Sequence, residues 1–116
     1  MKLETEENAY AIQYEEMQLE VIKQKWWAIQ YITDPSEEVQ LEAVKQSGYA
    51  LQWIKDPSEE VQLKAVKQRG YYIRFIENPS EEVQLAAVNR WEFAIKHIQN
   101  PTKRVKDTVK LKDLLK

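Results

Sequence analysis

The sequence predicts an all-α protein, an α-solenoid in which helix-turn-helix repeats of 22 residues form a right-handed superhelix. Prolines recur at this spacing, at Pro35, Pro57, Pro79 and Pro101, and a fixed period of this length is typical of repeat architectures. The segments between them are nearly identical: DPSEEVQLEAVKQSGYALQWIK, DPSEEVQLKAVKQRGYYIRFIE and NPSEEVQLAAVNRWEFAIKHIQ. Each segment has apolar residues on two faces and needs neighbours to bury them.

The 116 residues suffice for one domain with a single core. We therefore predict one helical-repeat domain over residues 1–116. It consists of an N-terminal cap with a degenerate repeat (1–33), a first, second and third repeat (34–55, 56–77 and 78–99) and a C-terminal cap (100–116).

Each repeat is predicted to begin with an α-helix. In the first repeat, Asp34 is expected to be the N-cap, Pro35 the first helical residue and Glu37 the partner in a capping box. The helix is expected to end near Gln46, where Gly48 can take the left-handed conformation. A second, shorter helix is predicted from Tyr49 to Ile54, because the residue before the next proline disfavours the helical region.

The two ends of the chain depart from the repeat. At the N-terminus nothing interrupts a helix between Leu3 and Gln24, so we predict one long capping helix. At the C-terminus, NPTKRVKDTVKLKDLLK keeps the start signal but carries Lys103 and Arg104 in place of the paired acids. This pattern predicts a basic, polar capping helix.

Composition limits the classes of function. There is no Cys, which excludes disulfides and thiolate chemistry, and no apolar run of 18 residues. The N-terminal MKLETEENAY has acids where a secretory signal needs an apolar run, so we expect a soluble protein of the cytoplasm of a bacterial host, without a membrane partner. Up to Asn100 there are 11 basic and 17 acidic residues, which argues against general attraction to nucleic acid phosphates.

Aromatic residues recur at two positions of the repeat. We expect this column to form core, because aromatics at constant helical spacing are usually buried. The alternative is a ladder of rings that stacks on bases or on side chains of a partner. The column comprises Tyr10, Tyr14, Trp27, Tyr31, Tyr49, Trp53, Tyr71, Phe75, Phe93 and His97.

Paired glutamates follow each proline. Carboxylates in a first helical turn complement the helix dipole, which explains the pairs without a functional role. Stacked repeats would also align them into an acidic ridge that docks on a basic partner. The ridge would comprise Glu37, Glu38, Glu59, Glu60, Glu81 and Glu82.

The positions that change between repeats are the candidate partner-binding surface. Solenoids often confine variation to one exposed face, and Trp, Tyr and Arg are enriched at interface hot spots. The alternative is that these are drifted surface residues and capping aromatics. The predicted partner-binding residues are Lys25, Trp26, Arg69, Tyr72, Arg74, Arg90 and Trp91.

Nothing in the sequence indicates an enzyme. His97 is the only histidine and has no nucleophile or carboxylate placed to form a catalytic group, so a structural role is expected. Gly48 and Gly70 are isolated and do not form a phosphate-binding loop. We therefore predict no catalytic residues, no metal site and no cofactor.

The runs EVQLEAVKQSGYALQWI and EVQLAAVNRWEFAIKHI resemble a family of short two-helix repeats of unknown function found in bacteriophages, large DNA viruses and bacteria. The resemblance covers roughly residues 8–100, and Trp26, Trp91 and Glu92 depart from the glycine turn of that family. It implies an α-solenoid with an interaction role, often between virus and host, and transfers no catalytic residue.

These observations lead to three hypotheses of function. The first is a non-enzymatic protein-binding module, in its sharpest form a phage or mobile-element inhibitor that blocks a host defence protein such as a component of a CRISPR nuclease system. The second is a nucleotide or nucleic-acid binder that uses an aromatic and basic face. The third is a designed repeat scaffold, favoured by the nearly verbatim PSEEVQL. A monomer or an end-to-end homodimer is expected.

Overall fold

A computed structural model describes the backbone of residues 6–116 and the side chains of residues 13–116. Within this range the protein is all-helical, as predicted, and has no strand. α-Helices alternate with 3₁₀-helices along the chain. The elements are α1 (Glu6–Gln24), η1 (Trp26–Tyr31), α2 (Glu37–Gln46), η2 (Gly48–Trp53), α3 (Glu59–Gln68), η3 (Gly70–Phe75), α4 (Glu81–Arg90), η4 (Glu92–His97) and α5 (Lys103–Leu114).

The described elements contact only elements of the same or the adjacent segment of the chain. Successive α-helices pack side by side, successive 3₁₀-helices do the same, and each α-helix also packs on the 3₁₀-helix that follows it. The molecule is therefore elongated, with dimensions of 60 × 30 × 21 Å. The core lies between the α-helical layer and the 3₁₀ layer.

The terminal α-helices occupy the two ends of this arrangement. α1 ends at Gln24 as predicted, whereas its predicted start at Leu3 lies outside the described residues. α5 begins at Lys103, and Val105 from its first turn is buried against the third repeat. None of the described helices is long and apolar enough to cross a bilayer.

The α-helices of the repeats begin after a serine cap. Ser36 is the N-cap of α2, and its Oγ accepts a hydrogen bond of 3.2 Å from the N–H of Val39. The prediction of Asp34 as the cap was wrong, because Asp34 and Asp56 instead adopt positive φ angles of 53° and 49°. Pro35 accordingly precedes the cap and is not the first helical residue. The corresponding caps of the later α-helices are Ser58, Ser80 and Thr102.

The second helix of each repeat is a 3₁₀-helix, whereas α-helical periodicity was assumed for Tyr49 to Ile54. A 3₁₀-helix has roughly 3 residues per turn, so residues three apart point in the same direction. Gly48, Leu51 and Ile54 therefore face inward together, and all three are buried. The second repeat has the same buried column in Gly70, Ile73 and Ile76.

The two glycines serve close packing and not a left-handed turn. Neither has a positive φ angle, so the prediction that Gly48 ends its helix in the left-handed region was wrong. A Cβ atom on Gly48 would overlap the ring of Tyr72, and one on Gly70 would overlap the carbonyl oxygen of Ala87. Glycine is required at these positions because the next repeat lies against the backbone.

Candidate functional site

Aromatic side chains cover the outer side of the 3₁₀ layer. The exposed fraction is 79% for Tyr31, 45% for Trp27, 40% for Tyr49 and 37% for Trp53. The prediction that the aromatic column forms core was therefore wrong for these residues, because the 3₁₀ periodicity assigns the buried positions to aliphatic residues. In the same column Tyr14, Phe93 and His97 are exposed, Tyr71 and Phe75 are partly buried, and Tyr10 lies outside the described side chains.

The rings contact one another across repeat boundaries. Tyr49 lies 6.2 Å from Phe75 of the next repeat, centroid to centroid, and Trp26 lies 6.1 Å from Trp53. Tyr71 lies 5.2 Å from His97. These contacts place the rings of four successive 3₁₀-helices on one surface.

Cationic side chains lie among these rings. The Arg74 guanidinium is 5.0 Å from the Tyr71 ring centroid and 5.4 Å from that of Phe75, and Lys96 Nζ is 5.2 Å from the Phe93 ring. Cation–π contacts of this kind leave the charged groups exposed to a partner. We name this surface the aromatic-basic face; it comprises Trp27, Tyr31, Tyr49, Trp53, Tyr71, Phe75, Trp91, Phe93, His97, Arg69, Arg74, Arg90 and Lys96.

The predicted partner-binding residues have different environments. Lys25, Arg69, Arg74, Arg90 and Trp91 are exposed, and Trp91 has an exposed fraction of 40%. Trp26 is partly buried between Trp27 and Trp53.

The expectation that Tyr72 faces solvent was wrong. Tyr72 is 4% exposed, and its ring packs over Gly48 and lies 4.9 Å from the ring of Tyr49. Its position in the repeat is taken elsewhere by Ala50 and Ala94, which are buried as well. Tyr72 therefore cannot contact a partner unless the repeats separate.

Four of the remaining variable residues lie at two different junctions. Arg69, Arg90 and Trp91 line one cavity together with Gly70 and Tyr71, where the second and third repeats meet. Trp26 lies instead next to the first repeat, against the ring of Trp53. Lys96 and His97 also lie on the aromatic-basic face, although they are not among the predicted partner-binding residues. For Lys96 the i,i+3 relation to the exposed Phe93 in a 3₁₀-helix is the signal that could have placed it there.

The C-terminal helix adds a further cation at the end of this face. Lys116 Nζ forms an ion pair with Glu92 and lies 5.3 Å from the Phe93 ring centroid. The hydrogen bond to Glu92 raises the pKa of the Lys116 ammonium group above its usual value. The ammonium group thus keeps its charge beside an exposed aromatic ring.

The first glutamate of each pair connects neighbouring repeats. The Ser58 hydroxyl donates a hydrogen bond to Glu37, and Ser80 donates to Glu59 in the same way. The flanking junctions repeat this arrangement, with Ser36 Oγ 2.5 Å from Glu15 and Thr102 Oγ1 2.7 Å from Glu81.

This serine–glutamate ladder changes the interpretation of the acidic residues. Glu37, Glu59 and Glu81 do not form the predicted capping boxes, because each directly follows the serine cap instead of lying three residues after it. Each accepts a hydrogen bond from the following segment instead. The second members, Glu38, Glu60 and Glu82, are exposed on the α-helical side, where Lys45 and Lys64 lie beside Glu38 and Glu60. The acidic ridge stays a prediction, since the first glutamate of each pair accepts the hydroxyl hydrogen bond and still has an exposed or partly exposed side chain.

Glu59→Ala is expected to destabilise the protein by about 1 kcal/mol, because Ser80 loses the acceptor of its hydroxyl. The neighbouring Glu60→Ala is the matched control and should change the free energy of unfolding by less than about 0.5 kcal/mol. Urea unfolding of both variants measures the difference. Equal losses would show that the ladder contributes no more than a surface carboxylate.

The described part of the chain has no candidate cluster of metal ligands. Residues 13–116 contain no group of three or more His, Cys, Asp or Glu side chains close enough to hold a metal ion. His97 lies between the rings of Tyr71 and Trp91, with centroid distances of 5.2 and 6.3 Å. Comparison of the chain with protein-family models, with curated proteins and with solved structures found no match.

Proposed function

We propose that this chain is a non-enzymatic protein-binding module built as a right-handed α-solenoid of 22-residue repeats. The proposal of a solenoid is supported by the contacts, which join only adjacent segments, and by the elongated shape. In such an architecture each repeat adds residues to a continuous surface.

The observation that carries the binding function is the aromatic-basic face. Trp27, Trp53, Trp91 and Phe93 each have more than a third of their surface exposed, although burying them would be favourable. Contiguous exposed apolar surface of this kind is typical of an interaction site. Its aromatic and arginine content matches the composition of protein–protein hot spots.

The more specific form of the proposal is an inhibitor. The resemblance to viral and bacterial repeat proteins supports a phage or mobile-element protein that covers a functional surface of a defence protein in the bacterial cytoplasm. Steric blockade needs a surface that is already ordered before binding, since ordering it on binding costs free energy. The ring-to-ring contacts and the serine–glutamate ladder supply that order.

Nucleic-acid binding is the second candidate, because aromatic rings among cations also stack on bases. The excess of acidic over basic residues up to Asn100 weakens it, since phosphates are attracted by a surplus of cations. Several ring faces are also occupied by neighbouring rings, since Tyr71 and His97 meet edge to face at 89° and Trp91 stacks with His97 at 27°, and bases need open ring faces. We therefore favour the protein partner.

Trp91→Ala is expected to abolish partner binding while costing about 1 kcal/mol of stability, the contribution of its contacts with neighbouring rings. The immobilised chain is incubated with bacterial lysate, treated or untreated with nuclease, and retained proteins are identified. A protein partner is supported if it is retained by the unchanged chain after nuclease treatment and lost with Trp91→Ala.

The matched control for this experiment is Lys64→Ala, an exposed residue on the α-helical side. This variant should retain the same protein as the unchanged chain. Loss of binding after nuclease treatment would favour the second candidate, and retention of the partner by both variants would place the binding surface elsewhere.

A further inference from the structure

The outer face of α1 is apolar and uncovered at one end of the molecule. Met17 and Val21 have exposed fractions of 61% and 47%, and Tyr14 is exposed as well. These three residues share one face of α1, because residues three or four positions apart are neighbours on an α-helix. One repeat later, the positions of Met17 and Val21 are taken by Val39 and Ala43, which are fully buried. The same two positions are therefore covered in the later helices and open in α1.

In the later repeats, the cover is the preceding α-helix. α2, α3 and α4 each pack on the α-helix before them, whereas α1 packs on α2 and η1 alone among the described elements. Ile22 of α1 is fully buried, as is Val44 in the same position of α2, which places this position on the side of the following α-helix. Met17 and Val21 point away from α2, so their face fits an α-helix that would precede α1.

The outer face of α5 is uncovered at the opposite end. Val105 is fully buried where α5 packs on α4, whereas Lys110, in the repeat position of Val44, is exposed. Leu111 and Leu114 are also exposed, with fractions of 63% and 80%. Leu114 is four residues after Lys110 and therefore shares its face. α5 thus presents leucines and lysines on the side where a following α-helix would pack.

The charges at the two ends are opposite. α1 (Glu6–Gln24) contains five acidic residues and one basic residue, and Glu16 and Glu20, one turn apart, are exposed beside the apolar face. α5 contains five basic and two acidic residues, and Lys106 and Lys110 are exposed. Two α1 faces or two α5 faces brought together would place like charges against each other, which costs free energy. Contact of α1 with α5 brings opposite charges together.

We propose that this protein associates head to tail, with the outer face of α1 in one copy docked on the outer face of α5 in another. The apolar side chains of the two faces pack on each other, while the glutamates of α1 meet the lysines of α5. A second copy is the occupant because it carries both the apolar residues and the charge that complement the α1 face. Such contact gives the end-to-end homodimer expected from the sequence a definite polarity, and it is independent of the proposed function.

A head-to-tail contact is heterologous, so it leaves one α1 face and one α5 face free in every pair. Further copies can therefore add at both ends, and the protein forms chains of increasing length instead of a closed dimer. The contact is small, one helix face on another, so its Kd is expected on the order of 100 µM.

Sedimentation equilibrium of the 116-residue chain tests the proposal. At roughly 20 mM salt, the weight-average mass should be close to that of one copy at about 10 µM protein and should exceed that of two copies at about 1 mM. Salt at roughly 0.5 M should raise the Kd at least about tenfold, because it screens the charges. A mass that stays at one copy, or one that does not respond to salt, would refute the proposal.

Charge reversal at either end distinguishes the possible polarities. Lys106→Glu/Lys110→Glu and Glu16→Lys/Glu20→Lys should each raise the Kd at least about tenfold, because α1 and α5 then carry charges of the same sign. A chain with all four substitutions has opposite charges again and should associate with a Kd within about threefold of the unchanged protein. This rescue also shows that neither pair of substitutions acts by unfolding the chain. A discrete dimer that persists in Lys106→Glu/Lys110→Glu, or failure of the rescue, would overturn the head-to-tail polarity.

The matched control is Lys64→Glu/Lys67→Glu in the central helix α3. Both lysines are exposed, and the substitutions change the net charge by the same amount as those in α5. This variant should keep the Kd of the unchanged chain within about threefold. An equal loss of association in the control would show a general effect of net charge and would refute a contact between the two end faces.

Discussion

Replacing Ile73 by alanine is expected to destabilise the protein by about 2–5 kcal/mol, the cost of an aliphatic cavity in a closed site. Ile73 has no exposed surface, and it lies in the second repeat with other repeats packed on both sides. The neighbouring helices are held by the serine–glutamate ladder and cannot easily collapse into the space. Thermal or urea unfolding of the variant measures the loss.

The informative control is Trp53→Ala in the adjacent repeat. Tryptophan is the larger residue, and it was expected to be core on the basis of the sequence. Its exposed fraction of 37% and its position outside the buried column predict a smaller loss, below about 2 kcal/mol. A larger loss for Trp53→Ala than for Ile73→Ala would contradict the assignment of the aliphatic column as core.

Gly70→Ala is expected to cost about 1–3 kcal/mol through overpacking. The φ angle of Gly70 is not positive, so alanine would ordinarily gain about 0.4–1 kcal/mol by restricting the unfolded chain. The added Cβ, however, would overlap the carbonyl oxygen of Ala87 in the next α-helix. Backbone cannot rotate away as a side chain can, so the repulsion outweighs the entropic gain.

Gly48→Ala tests whether the cost of adding a Cβ atom comes from overlap with a neighbour or from a general requirement for glycine at this position of the repeat. At Gly48 the overlap is with the Tyr72 ring, which a second substitution can remove. Gly48→Ala should therefore destabilise the unchanged protein but have an effect close to zero when added to Tyr72→Ala, as a double-mutant cycle by urea unfolding would show. An equal cost in both backgrounds would contradict the packing argument.

The sequence allowed the all-α class and the ends of the α-helices to be predicted, because the period and the apolar pattern are strong signals. The predicted cap was wrong by two residues because Asp34 and Ser36 are both good capping residues. Ser36 is the cap in the structure, where its hydroxyl also donates to Glu15 of the preceding segment. That contact lies between repeats and cannot be seen within one of them.

The candidate site was predicted less well, and one geometric error explains most of the difference. An α-helix turns about 100° per residue, whereas a 3₁₀-helix turns about 120°. A rotation of about 100° per residue puts Tyr49 and Trp53 together on the inner face of the helix. A rotation of about 120° per residue places Gly48, Leu51 and Ile54 on that face instead. The period-three pattern of small and aliphatic residues was present in the sequence and would have kept Tyr49 and Trp53 off that face.

The environment of the arginines required the structure. The sequence identifies Arg69 and Arg90 as departures from the repeat, but it does not reveal that Ser47 and Gln68 hold backbone donors one repeat earlier. A residue that varies between repeats is thus best interpreted through the contact that its counterpart makes.

The serine–glutamate ladder has a consequence for how such a chain evolves. Each hydroxyl meets a carboxylate 21 residues earlier, so the contact needs nothing beyond two adjacent repeats. Unequal recombination within the gene, which duplicates or deletes one whole repeat, preserves the serine–glutamate contact at every remaining junction. The length of the exposed surface can therefore vary between descendants in a single genetic event, while substitutions such as those at Arg69 and Arg90 alter its chemistry one junction at a time.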